Sequence, residues 1–580
     1  MRKLLFLVFL LTVSLSNAFP AEPVVTSVSP VRQVINAPRG TSITVNFNTA
    51  VSTSSVNNST FRVFGKQSGT IPGVFEFLNG NTQVKFTPSS LFLAGEWVTV
   101  NLSKGILAQD NTPMTKGFAW NFWTKAEPGT LNQSLIRTIP VRRQGEGLIQ
   151  CYGALGCDFN DDGKTDLAIV NEVSKDFRVF LNNGTGYDTM NAIYPLPAGS
   201  YPSPSEAADF NRDGIVDMIV GNAANNVLSL FMGTGNANFL SEVPYIAGNN
   251  VRGVAVADLE GDGFDDIVTA NRSGSNISLF RNNGNSTFGT ATNINTVGNS
   301  ETAVMMADAN NDGILDAFVG CYASNEIVLM LGDGNGSFTF SSRSALNGPP
   351  WAIVVGDING DGNVDVAACL SSANRIGIIF GNGAGGLGAV TNYLSGSFPL
   401  AIDIGDVDGD NDLDIISSQY ISADFRVFQN TGNGVLSATP VILPSSGSGS
   451  CITVHDRDND GDLDLSGIDE VDDLLFVFNN GPVGINQISS EIPAEYTLKQ
   501  NYPNPFNPNT VIRYSLIENR LTSLKIYDLN GKEVADIVNK NQNPGTYEVE
   551  WNGAGFASGV YFYRLEAGDF KETKRMLLIK

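Results

Sequence analysis

The sequence predicts an all-β protein, a seven-bladed β-propeller flanked by two β-sandwich domains. Three observations carry this reading. An aspartate-rich segment of nine residues recurs seven times at spacings of 49 to 51 residues. Short β-type runs, set off by Gly, Asn and Asp clusters, bracket every copy. Before and after the repeats the chain changes to alternating strands that lack the segment. Composition agrees. Gly contributes 61 of 580 residues, and acids outnumber bases 59 to 35 for a net charge of −24. That balance excludes a general phosphate-backbone binder, which needs a basic footprint. One histidine in the whole chain makes His-based zinc sites and Ser-His-Asp catalysis poor expectations.

The first element is a leader. Arg2 and Lys3 precede an apolar run from Leu4 to Val13, and Ser16-Asn17-Ala18 closes it with small residues. Residues 1–18 therefore read as a secretory signal peptide. The run is too short to span a bilayer, and no later run reaches roughly 18 apolar residues, so no membrane span is expected. Five cysteines, Cys151, Cys157, Cys321, Cys369 and Cys451, fit no zinc spacing. Disulfides and buried thiols are both open.

The second element, residues 22–125, alternates like half-buried strands over Ile43–Phe47, Gln83–Phe86, Trp97–Leu102 and Phe118–Trp123. Such a run of short strands makes a β-sandwich. Its aromatic residues are expected in the core rather than as a glycan platform.

The third element, residues 132–482, is the repeat region. The copies begin at Asp158, Asp209, Asp258, Asp308, Asp357, Asp406 and Asp456. A turn glycine keeps phase with them, at Gly184, Gly235, Gly284, Gly334, Gly383, Gly432 and Gly481. In copies two to six an apolar residue follows four positions later: Phe239, Phe288, Phe338, Leu387 and Leu436. Three or four strands per ~50 residues is the size of a propeller blade, which must stack on neighbours to bury its faces. The seventh copy runs out after Gly481, while Ser134–Val141 precedes the first copy with no blade of its own. This segment is expected to supply the outer strand of the last blade and so close the ring.

The repeated loop reads D-x-[DNE]-x-D-[GN]-x-x-D. Its oxygen-bearing residues are Asp158, Asn160, Asp162 and Asp166 in copy one, and Asp209, Asn211, Asp213 and Asp217 in copy two. Copies three and four have Asp258, Glu260, Asp262, Asp266 and Asp308, Asn310, Asp312, Asp316. Copies five to seven have Asp357, Asn359, Asp361, Asp365; Asp406, Asp408, Asp410, Asp414; and Asp456, Asp458, Asp460, Asp464. So many carboxylates in one small loop repel unless a hard cation sits among them, Ca²⁺ before Mg²⁺. Up to seven Ca²⁺ are expected, with the position-seven carbonyl as a further ligand. An EF-hand needs an acid at position twelve. Ile169, Val220, Thr269, Val319, Ala368, Ser417 and Gly467 stand there instead, so that reading fails.

These loops resemble the FG-GAP/VCBS repeats of integrin α-subunit propellers and of many bacterial surface proteins. The resemblance implies a seven-bladed propeller with structural Ca²⁺ in its hairpin loops, facing away from the usual ligand surface. Copy six departs from the pattern at Asn411, which stands where the other copies have Gly. Pro23-Val-Val-Thr-Ser-Val-Ser-Pro30 and Trp120-Asn-Phe-Trp-Thr124 resemble bacterial Ig-like domains. The fourth element, residues 490–580, resembles the C-terminal sorting domain of type IX secretion cargo. Its matching pieces are Gln500-Asn-Tyr-Pro-Asn-Pro-Phe506, Ile526-Tyr-Asp-Leu-Asn-Gly531 and Ala557-Ser-Gly-Val-Tyr561. That resemblance implies handling by the type IX secretion machinery, followed by release or attachment at the surface.

The function expected from these parts is a secreted or cell-surface calcium-binding propeller that binds an extracellular protein or glycan. The alternative is a secreted polysaccharide lyase or hydrolase with its site in the funnel. A purely structural surface component is the third class. No catalytic constellation is visible. His455 is expected to be packed, and among the acids outside the loops are Glu172, Glu206, Glu301 and Asp403.

Overall fold

In the computed structural model, residues 21–579 are described except 132, 185, 188–189, 191, 481–484, 490–491, 508, 530, 553–555 and 557. The expected leader at 1–18 and Gly481 lie outside the described residues. The elements are strands and three short 3₁₀ turns.

Seven four-stranded antiparallel sheets follow one another along the chain. In blade one Cys151–Cys157 is innermost, followed outward by Asp166–Asn171, Asp176–Phe180 and Ala192–Pro195. The aspartate loop joins the first and second strands. The second strand is buried at every residue in all seven blades. Neighbouring blades cover both its faces, which is why it reads as a continuous apolar run rather than an alternation. Innermost strands contact one another around the whole ring, first to last included. The approach is close where they are small. A Cβ on Gly253 would lie 2.9 Å from the Cα of Ala303 in the next blade.

Two devices tie blades to the ones before them. In blades one, three, six and seven an Asn at the end of the third strand donates its amide to a carbonyl in the preceding loop. Asn282 reaches Phe210 O at 2.9 Å, Asn430 reaches Ile358 O at 2.7 Å, and Asn182 reaches Arg457 O at 2.7 Å, joining blade one to blade seven. The apolar residue after the turn glycine packs on the same neighbour, with Phe239 on Phe159 and Phe288 on Phe210 at 5.7 and 5.2 Å between ring centroids.

Blade seven comprises Gly449–His455, Asp464–Asp469 and Leu474–Asn479, and its outer strand is Ser134–Pro140. Leu475 lies opposite Ile139, and Phe478 opposite Leu135. The upstream segment supplies more than the strand. Thr130 N donates to Asn480 Oδ1 at 2.7 Å, as Gly284 N does to Asn282 in blade three. Leu131 packs against the apolar cluster that holds Val407, where the other blades use their own aromatic or Leu.

The N-terminal region is two four-stranded sheets, one of Val25–Ser29, Ile43–Phe47, Gln83–Pro88 and Gly73–Leu78, the other of Gly69–Thr70, Phe61–Gly65, Trp97–Leu102 and Phe118–Trp123. Trp120, Phe61, Phe86, Phe92 and Phe122 are fully buried between them, so the aromatics are core. The sandwich is seated on the aspartate-loop face of the propeller. Asp158 N donates to Gln67 O, Lys104 N to Gly261 O, Ala119 N to Gly313 O and Glu127 N to Gly461 O, all at 2.7–2.8 Å. Arg62 is buried against Asp265, 2.9 Å away, and also donates to Gly263 O. Trp123 and Ile35 enter the core of blades five and six.

The C-terminal region is a second pair of sheets. Ile485–Ser489, Gly545–Asn552, Asn509–Leu516 and Thr497–Leu498 form one; Glu533–Gln542, Arg520–Tyr527, Gly559–Ala567 and Phe570–Leu578 form the other. Glu533–Gln542 is a strand the sequence pattern does not announce. Asp, Asn and Lys break its alternation, and it lies at a sheet edge with two bulges.

Two outcomes check this architecture. Ile139→Ala removes a side chain only 4 % exposed and should cost about 2–5 kcal/mol in a urea melt, whereas Leu135→Ala on the same strand should cost far less. Equal effects would argue against closure by this strand. Arg62→Met leaves Asp265 buried without its partner and should cost about 3–5 kcal/mol, with a protease-sensitive link near residues 125–131.

Candidate metal loops and the two mouths of the propeller

All seven loops share one local geometry. Position six has φ between 72° and 102°, and Asn411 adopts it like the six glycines. Position four is left-handed too, at Asp161, Arg212, Asn311 and Asn459 among others, a second constraint the sequence did not reveal. The position-five carboxylate accepts the N–H of position seven throughout, as in Asp162 with Lys164 at 3.1 Å and Asp460 with Asp462 at 3.2 Å.

The position-nine aspartate is the anchor. Its Oδ2 accepts the position-two N–H, and its Oδ1 accepts an N–H sixteen residues later at the end of the third strand. In blade one these are Phe159 at 3.2 Å and Asn182 at 2.7 Å, and all seven blades repeat the pair. Burial pushes these carboxyls up, Asp166, Asp217 and Asp316 to about 7 and Asp266 and Asp365 to about 8, against the backbone hydrogen bonds that pull them down.

The first position divides the loops. In blades one to five both oxygens accept backbone N–H groups, as Asp158 does from Asp162 and Gly163. In blades six and seven only position six donates, to Asp406 at 3.0 Å and Asp456 at 3.1 Å. Asp406 Oδ1 and Asp456 Oδ1 are buried and accept nothing, and neither does Asp408 Oδ1. There Asp406, Asp408 and Asp414 converge to within 4.8 Å, as do Asp456, Asp458 and Asp464. Orphaned buried carboxylate oxygens that face each other are what a hard cation would satisfy, so these residues fit one. In blades one, two, four and five the position-three side chain is Asn160, Asn211, Asn310 or Asn359, each turned inward to accept the position-five N–H. Glu260 in blade three departs from the set and pairs with Arg281 at 2.5 Å. Blade seven has a basic group that the repeat pattern did not flag as functional. Arg457 stands at an otherwise apolar position two and lies 2.8 Å from Asp458 and 3.6 Å from Asp464.

The sandwich touches these loops directly. Thr70 Oγ1 donates to Asp209 Oδ2 at 2.9 Å, and Arg32 lies 3.7 Å from Asp308. Beneath it a cavity of about 140 Å³ occupies the axis, between Phe64, Trp97 and Trp123 of the sandwich and Leu155, Met305 and Val354 of the inner strands. Lys66 reaches into it, 3.6 Å from Asp403, which holds its ammonium above the usual range. Glu206, at the same level, is pushed up to about 7 by burial. One mouth of the propeller is thus capped.

The opposite mouth is open, with a cavity of about 220 Å³. Its rim has its own rule. Every inner strand carries one extra residue at its start. Such a bulge re-aims a side chain. Tyr152, Ser203, Arg252, Thr302, Trp351, Leu400 and Ser450 stand there, six residues before each first aspartate, and all seven line the cavity. A second ring stands fourteen residues after that aspartate, at Glu172, Ala223, Arg272, Tyr322, Ser371, Tyr420 and Glu470, each held by a backbone bond to the loop before its blade. Of the acids outside the loops, Glu172 is therefore at the open mouth, Glu206 and Asp403 line the bore, and Glu301 is buried against Thr296. His455 is 1 % exposed, bonded to Tyr187 and Ser466, and burial lowers it to about 3. It is packed and neutral. All five cysteines are free, four of them buried.

Three family models match the chain in turn. Residues 20–124 match the bacterial Ig-like domain, and residues 500–580 match the secretion system C-terminal sorting domain. The sorting domain marks the protein for type IX export to the cell surface or the extracellular space. No helix among the described residues is long and apolar enough to cross a membrane. No curated protein matches. Among solved structures, a functionally unknown protein from Desulfotomaculum acetoxidans aligns at 13% identity and TM-score 0.38, over 65% of this chain and 97% of its own. A humanized mutant of the Chaetomium thermophilum Polycomb Repressive Complex 2 aligns at 7% identity and TM-score 0.43, over 60% and 97%. A Lactobacillus plantarum protein aligns at 13% and 0.30, over 58% and 96%. The FG-GAP-like repeat matches six times between residues 158 and 465, each match spanning two consecutive aspartate loops. With those repeats covering more than half of its length, the chain belongs to the FG-GAP-like repeat family.

Proposed function

We propose that this exported propeller is a calcium-stiffened binding protein that recognises an extracellular glycan or protein at its open mouth. The observation that carries the reading is a contrast within the ring. The loops repeat the same residue types seven times, whereas the matched rim positions carry Tyr152, Ser203, Arg252, Thr302, Trp351, Leu400 and Ser450, with only the two serines alike. Repetition suits a scaffold, and variation at matched positions suits recognition of one asymmetric ligand. The sandwich covers the loop face, which leaves the other mouth for a partner.

In the loops, positions one, three, five and nine would hold the ion, with Asp406, Asp408, Asp410 and Asp414 and Asp456, Asp458, Asp460 and Asp464 as the two all-aspartate sets. Bound Ca²⁺ supplies positive charge where carboxylates are buried together. The four-oxygen set also pins the loop from which the neighbouring blade hangs.

Chelation should lower the melting temperature, because an ion bound only to the native state adds about 2.7 kcal/mol per site at 100 times its Kd. A calorimetric scan with no shift between excess calcium and EDTA would remove calcium from this account. Asp406→Asn and Asp456→Asn should each reduce the bound calcium stoichiometry by one. A chain lacking residues 490–580 should stay inside the outer membrane of a type IX-secreting host. Glycan-array and pull-down binding that survives loss of the mouth side chains would relocate the recognition site.

A further inference from the structure

The rim of the open mouth gathers both charges. Arg252, Arg272, Tyr322 and Trp351 of blades three to five cluster by ring stacking, while the acids Glu172 and Glu470 come from blades one and seven, with Glu172 3.9 Å from Arg252. Trp351 spans the opening, since its indole N–H donates to Tyr152 Oη of blade one at 2.9 Å while Tyr322 packs edge-on 5.6 Å away. Both rings are partly exposed.

The two arginines are held differently. Arg252 is committed: it donates to Asn250 and Ser203 at 3.2 Å and lies 3.9 Å from Glu172. The Arg272 guanidinium rests over Tyr322 at 4.5 Å and over Trp351 at 5.1 Å. Among the described residues no carboxylate pairs with it, and the side chain is half-buried. A stacked guanidinium with unused donors is preorganised for a bidentate carboxylate.

For the two acids the reverse holds. Glu172 and Glu470 are 2 % and 4 % exposed. Gln150 donates to Glu470 Oε1 at 2.6 Å, but Glu470 Oε2 and Glu172 Oε1 accept no hydrogen bond. Buried acceptors without donors are costly unless a ligand or water supplies them. Burial also raises Glu172 to about 8, so the arginines are not matched by two full negative charges at neutral pH.

One ligand chemistry answers all three features. A sugar ring presents a C–H face to an aromatic platform, hydroxyl donors to acceptors, and in a uronic acid a carboxylate to an arginine. We propose that the open mouth binds an acidic, uronate-bearing polysaccharide. Trp351 and Tyr322 form the platform, Arg272 takes the carboxylate, and Glu172 and Glu470 accept hydroxyls. This rests on the binding-protein reading above and narrows it to one ligand class.

The test is calorimetric titration of the exported chain, in calcium, with trigalacturonate and trimannuronate against galactotriose and mannotriose. The uronates should bind at least tenfold more tightly than the neutral trimers. Arg272→Gln should erase that preference with an unchanged melting temperature, Arg272→Lys should restore part of it, and Trp351→Ala should weaken both classes. Equal affinity for acidic and neutral trimers, or a preference that survives Arg272→Gln, overturns the inference. Capture of a protein ligand that Trp351→Ala abolishes, with no saccharide bound, overturns it while sparing the binding reading. Binding of neither class at this mouth removes both.

Discussion

The buried position-nine aspartate is the constraint on which the rest of the ring depends. Its two oxygens tie the start of its own loop to the end of the third strand, in every blade. The residue after that strand then reaches the neighbouring blade, as Asn182, Asn282, Asn430 and Asn480 do. One carboxylate thus connects the hairpin to the blade-to-blade contact. The arrangement buries negative charge seven times, and the loop residues around it supply more. Backbone N–H groups offset part of that cost. In blades six and seven they offset least, and there the carboxylates converge with oxygens left over.

The acidity of the chain therefore has a place. Of the 28 loop positions, 24 are Asp or Glu, which matches the net deficit of the whole sequence. Those charges are gathered on one face, and the N-terminal sandwich sits on that face rather than standing apart as a spacer. Its Thr70 and Arg32 approach loop aspartates, and Arg62 neutralises Asp265. The same docking seals the bore over Lys66 and Asp403. The propeller is consequently a cup with one opening.

Seven residues of one ring, none of them in the repeated motif, line that opening, with the second ring packed behind them. They are positioned by the repeat all the same. The bulge that aims Tyr152, Arg252 and Trp351 occurs at the same register in all seven inner strands. A symmetric backbone with asymmetric side chains gives a rigid site whose chemistry varies around the rim. Trp351 illustrates this, since it bridges to Tyr152 on a blade distant in sequence and carries Arg272 on its face.

The sequence by itself determined the number of blades, the position-six turn of each loop, the apolar second strands and the strand that closes the ring. These follow from interactions within about fifty residues, repeated seven times, so each copy vouched for the others. Ser134–Pro140 was legible because the seventh copy visibly lacked a strand, whereas Leu131, which fills the missing apolar slot, carries no mark in a single copy. Edge strands such as Glu533–Gln542 escaped because Asp536, Asn539, Lys540 and Asn541 break the apolar alternation in the sequence. Only the tertiary structure decided that the sandwich caps the loop face, that Glu260 turns to Arg281, and that Glu172, Glu470, Arg272 and Trp351 share one mouth. Those residues come from different blades, and what brings them together is the closure of the ring, a long-range packing event that local spacing does not encode.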